Sequence, residues 1–220
     1  MESGWARHFE RERGRYEDGE TRLPGIADPD ERQRQLTRMG NAAGGAGLAL
    51  LMAGRRDEAA DWFARAAERY RDSFVDAPPG SWGRPIGAVK ARLLAGDREA
   101  AADEARWALS AGAATSDSPI GRYAACLALL VLGDDSAAGE FASALVGRDD
   151  FPDDVARALA ALAVSDEAEY RSAVADVLQS FVTRDDYLED IPVADTVVVL
   201  QTLAASRGLG AELASPLLPA

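Results

Sequence analysis

The chain has 220 residues, and 47% hydrophobic against 28% charged residues is the balance of a folded domain rather than a disordered tract. Its 37 acidic and 24 basic side chains leave a formal net charge of −13, a sign that repels phosphate backbones, so nucleic acid is not an expected partner. A lone Cys126 excludes an internal disulfide, the apolar runs near 46–53 and 123–132 fall short of the ~20 residues that cross a bilayer, and the opening MESGWARHFERERGR is too charged for a secretory leader; the expectation is a cytoplasmic protein with no membrane contact.

In chain order, the first element is a helix that carries Trp5, Phe9 and Tyr16 near helical period, with Arg and Glu on its other faces. The segment TRLPGIADPDERQ ends it. Asp28, Pro29 and Glu31 then form a strong restart, with Asp28 as cap, Pro29 at the first helical position and Glu31 closing a capping box, so a helix is expected from about 29 to 53. Beyond it an apolar run stops three times at a glycine and a short polar turn, at Gly54, Gly96 and Gly133, and each time an alanine-spaced helix resumes. The spacings of 42 and 37 residues fall within the ~34–47 of helix-turn-helix repeats, and a worn fourth turn stands at Val164-Ser165-Asp166. After Pro192 one more apolar helix is expected, ending near Arg207-Gly208, where arginine in the last turn and glycine beyond it make a C-cap.

These units resemble the tetratricopeptide repeat. The first supplies Gly47, Ala59, Phe63 and Ala66; the third supplies Ala125, Ala137, Phe141 and Ala144. The second keeps Ala101 and Ala108 but has Ala105 at the aromatic position, with Trp107 two residues away. Small residues let paired helices approach to ~8–10 Å while the aromatic fills the gap to the next hairpin. The family's proline after the second helix is missing and linkers such as DAPPGSWGRP are longer. The resemblance covers residues 40–183 and implies an all-α, right-handed superhelix of stacked antiparallel hairpins with a concave binding face. The ending RGLGAELASPLLP is similar, more loosely, to the tails of helical-repeat immunity proteins that neutralise polymorphic toxins. One helical-repeat domain is expected over 1–220: an N-terminal helix and loop (1–27), four hairpins (28–183), and a C-terminal capping helix and tail (184–220).

Candidate chemistry is sparse. The run GNAAGGAG at 40–47 lacks the Lys-Ser/Thr that ends a phosphate loop, and reads as a helix thinned by glycine for close packing. His8 is the only histidine, so no Ser-His-Asp triad or zinc spacing exists. Paired carboxylates such as Asp134/Asp135 and Asp153/Asp154 sit where helices begin, as dipole and capping preferences dictate. No catalytic, cofactor or metal residue is therefore assigned. The loop PPGSWGRP offers Trp82 and Arg84, side chains enriched at binding hot spots; the alternative is that Trp82 tucks against the helical pairs and fixes the linker. By analogy with the family, Lys90, Arg92, Arg122 and Tyr123 are expected on the concave face. The leading expectation is a non-enzymatic interaction or scaffold protein that binds a peptide or protein on that face. An immunity-type protein, a metal- or carboxylate-dependent enzyme and a self-associating homodimer are the alternatives. The acidic bias, with one lysine in the chain, fits either GC-rich coding or a salt-adapted cytoplasm, and the second is favoured.

Overall fold

A computed structural model describes residues 4–220, apart from the side chain of Leu188, and the fold is all-α, without a strand among the described residues. Among the described residues ten α-helices follow one another: α1 (Gly4–Arg22), α2 (Pro29–Met52), α3 (Arg56–Phe74), α4 (Gly83–Leu94), α5 (Arg98–Ser110), α6 (Pro119–Leu132), α7 (Asp135–Ser143), α8 (Asp153–Val164), α9 (Glu167–Val182) and α10 (Asp195–Ala205). Each of α1 to α9 packs on its successor, so α2/α3, α4/α5, α6/α7 and α8/α9 form four consecutive hairpins.

Local chemistry sets most helix starts. Asp28 accepts the amide of Glu31 at 2.7 Å, Asp97 that of Ala100 at 3.0 Å, Ser118 that of Gly121 at 3.0 Å, and Asp166 that of Glu169 at 3.0 Å. Such caps satisfy amides that have no partner inside the helix. The three turn glycines all take positive φ, 75° at Gly54, 76° at Gly96 and 78° at Gly133. The worn fourth turn has the same geometry without the glycine, for Ser165 takes φ 56°.

The packing positions behave as small-residue contacts. Ala59, Ala66, Ala101, Ala105, Ala108 and Ala125 are all buried, and the Phe63 ring lies against Gly47, where a β-carbon would stand 2.7 Å from it. Helix α1 is docked by its aromatics as expected: Phe9 and Tyr16 both meet Trp62 edge-on, at 5.8 and 5.4 Å between ring centroids. The third unit departs from the expected register at its end. Helix α7 stops at Ser143 after nine residues, Ala144 is exposed, and Leu145 and Phe151 in the following loop take the buried places.

The C-terminal helix also departs from simple stacking. Rather than only capping α9, α10 returns along the first helices of the hairpins and lies against α4 and α8, with Val197, Leu200 and Leu203 buried in one core with Val89, Leu127 and Leu159. Arg207, just past its end, donates to Leu130 O at the end of α6 at 2.7 Å and pairs with Asp135 of α7. The tail then doubles back, Leu217 O accepting the amide of Ala194 at 2.9 Å.

Candidate site: the cleft between α2 and α4

Helix α10 lies against α4, α8 and α9 and leaves the first hairpin uncovered. A cleft of about 390 Å³ lies there between α2 and α4. Helical spacing puts Gly40, Gly44 and Gly47 on one face of α2, and Gly87 stands opposite on α4. Without side chains at these places the second helix of the first hairpin closes the cleft from behind, with Tyr70 partly exposed and Phe63 and Ala66 buried beneath the surface. The Tyr70 ring is clamped by two helices: a β-carbon would come within 2.9 Å of it at Gly40 and within 2.8 Å at Gly87. Its hydroxyl donates to Asn41 Oδ1 at 2.9 Å, and burial raises the phenol well above the ordinary tyrosine value, so it stays protonated.

Polar groups converge on the two ends. At one end Lys90 pairs with Asp195 Oδ2 at 2.6 Å and donates to Thr196 Oγ1 at 3.2 Å, which joins α4 to the start of α10. Burial opposes the Lys90 charge, but Asp195 and Tyr123 outweigh it, so the ammonium is held above the ordinary lysine range. Glu189 also lines this end, with its carboxylate on Arg15 of α1, and Arg15 in turn reaches the fully buried Glu12 at 3.1 Å. Ile191 beside it is seated on Gly45 and is 2% exposed. At the other end the loop Gly80–Gly83 and Arg84 form the rim.

Of the six residues the sequence singles out, Trp82, Arg84 and Lys90 line this cleft. Trp82 is packed rather than presented: it is 9% exposed and wedged among Ala113, Ala124 and Ala125, with Phe74 at 6.3 Å, so it fixes the linker to the helical pairs. Arg92 does not join the cleft, since α4 turns it toward Glu104 of α5, 3.8 Å away. Arg122 lies at a separate hollow beside Asp117 and Phe141. Tyr123 is stacked against Phe151 at 5.4 Å; its phenol is raised by burial, while nearby Lys90 acts to lower it. Tyr70, Asn41 and Asp195 have no motif around them; only the glycine spacing 40, 44, 47 carried a signal, by marking a helix face without side chains.

The chain matches no family model, no curated protein and no solved structure. Its own geometry must therefore carry the functional reading. Among the described residues no group of three or more His, Cys, Asp and Glu is arranged to hold a metal ion, and no helix is long and apolar enough to cross a membrane. Cys126 is fully buried on α6, where burial pushes its thiol up to about 12, so it is not a poised nucleophile. A larger hollow of about 710 Å³ runs over α7 and α8, but it is a shallow outer groove floored by Gly139, Ala160 and Ala163, with Arg157 already paired to Asp153, Glu169 and Asp176.

Proposed function

We propose that this protein is a non-enzymatic interaction module, a tetratricopeptide-like right-handed array that holds a peptide or protein segment in the cleft between α2 and α4. One observation carries the reading: the cleft between α2 and α4 has partly exposed apolar surface from Leu48, Tyr70, Ile86 and Leu94 and polar groups at both ends. Binding clefts combine an apolar body with a few placed polar groups, and about 300–1,000 Å³ is their usual range. Helical arrays present such concave surfaces to extended partners.

Site-specific photocrosslinking in the native cell tests this. A crosslinking side chain at Leu48 or Ser81, on the cleft, is expected to capture a discrete protein or peptide partner. The same group at Asp103 or Ser172, exposed on other faces, is expected to give none. Identical products from all four positions, or none from the cleft, sink the proposal.

A further inference from the structure

Arg84 is unusual in this acidic molecule. Its guanidinium donates to Ser73 Oγ at 3.0 Å and to Gln33 Oε1, both neutral, and among the described residues no carboxylate pairs with it. Every other arginine among the described residues either pairs with a carboxylate or stands on the exposed surface. Arg84 alone is half-buried with its charge uncompensated, and it stands in the wall of the cleft. Burying a cation without a counter-charge costs free energy, and burial indeed pulls Arg84 below the ordinary arginine value.

The surroundings leave that charge available. The nearest cleft carboxylates belong to the other end: Asp195 is taken by Lys90 and Glu189 by Arg15. Lys90 is six residues along α4 from Arg84, about 9 Å of helical rise, so the carboxylates gathered at its end stand beyond ion-pair distance of Arg84. The start of α4 adds no acceptor of its own: the amides of Arg84 and Ile86 are taken by Ser81 O and Trp82 O, and residue 85 is proline. Gly83 at that start is exposed, and a side chain there would meet nothing within 4 Å.

We propose that the Arg84 end of the cleft is an anion subsite, which takes the carboxylate of an amphipathic ligand whose apolar part lies over the partly exposed Tyr70, Ile86 and Leu94. The carboxylate is the C-terminus of a peptide or that of a free small acid. The inference rests on the α2/α4 cleft being the binding surface, and guanidinium and carboxylate match as a charge-assisted, two-pronged pair.

Three probes test it by calorimetry on the full chain in about 0.15 M salt, where long-range repulsion from the surface acids is screened: N-acetyl-Ala-Leu-Phe with a free carboxylate, its C-terminal amide, and 4-phenylbutyrate. The free peptide is expected to bind about tenfold more tightly than the amide, and Arg84→Gln to reduce the difference to under about twofold. Gly83→Asp places a carboxylate next to Arg84 in the chain without steric conflict; it should abolish the preference without lowering the thermal midpoint, which guards against a variant that merely misfolds. Equal binding of acid and amide to the unaltered protein overturns the subsite and leaves the peptide-binding reading standing. Binding of phenylbutyrate that depends on Arg84, with neither peptide bound, upholds the subsite and sinks the peptide reading. Absence of saturable binding by all three probes up to about 5 mM, some 3 kcal/mol of affinity, overturns the subsite.

Discussion

A methyl group placed on Gly47 would lie 2.7 Å from the Phe63 ring, whereas one on Gly44 would meet nothing closer than 4.0 Å. Both glycines sit inside α2, where alanine is favoured over glycine by about 0.8–1.0 kcal/mol, but overpacking a filled contact costs about 1–3 kcal/mol. Gly44→Ala should therefore stabilise the protein by about 0.8 kcal/mol and Gly47→Ala destabilise it by about 1 kcal/mol, read as opposite shifts of the urea midpoint. Equal midpoints for the two variants would refute the packing role given to Gly47. The buried titratable groups have a consequence of a single sign. Cys126, Tyr70, Tyr123 and Tyr170 are all raised, chiefly by burial, and Lys90 is raised although burial lowers it, because Asp195 and Tyr123 together outweigh that burial. Each of these groups holds its proton more tightly folded than unfolded, so the stability they contribute is fully present below the unfolded values and is lost as pH rises. The unfolding free energy should be level near neutrality with respect to these groups. It should fall from the ordinary thiol value of 9.0 upward, more steeply past the 10.0 of tyrosine and 10.5 of lysine. Cys126→Ala should remove the first part of that fall in denaturant titrations between about pH 8 and 10; an unchanged profile would contradict the burial assigned to the thiol.

Hairpin turns are where sequence and structure agree most closely, because a turn is decided by a few adjacent residues. Gly54, Gly96 and Gly133 announce left-handed positions, and Asp97 and Asp134, directly after the second and third of them, announce caps. The fourth turn was legible only as a worn copy, since Ser165 hides the geometry that it nevertheless adopts at φ 56°. A non-glycine residue there costs about 1–2 kcal/mol. Ser165→Gly should thus raise stability by about 1 kcal/mol and Gly133→Ser lower it by a similar amount; if Ser165→Gly is neutral or destabilising, the turn is held by something other than its backbone. What was not legible depends on distant chain. The early end of α7 follows from Leu145 and Phe151 being buried in the next loop, and the return of α10 onto α4 follows from a pair, Lys90 with Asp195, that is 105 residues apart. The candidate site was legible to the same degree. Trp82, Arg84 and Lys90 were marked by residue type, but Tyr70 reaches the cleft only because Gly40 and Gly87, on different helices, both leave room for its ring.

The return of α10 changes how the whole molecule should unfold. In an open solenoid each repeat touches only its neighbours, so terminal repeats open at lower free energy than central ones. Here α10 lies on α4 and α8 at once, and the tail ties back to Ala194 and, through Ala220 O, to Arg56 at the start of α3. Opening the last hairpin would therefore strip the covering from the second. Leu200, 1% exposed at the centre of α10, is the place to test this. Truncating a buried leucine costs about 2–5 kcal/mol, and Leu200→Ala should lower stability by that amount. The loss should appear together in α4, α8 and α10 when amide hydrogen exchange is followed by residue, because one covering element serves all three. Loss of protection confined to α9 and α10 would mean that the array unravels from its end, and that α10 is an appendage rather than an element shared by the second and fourth hairpins.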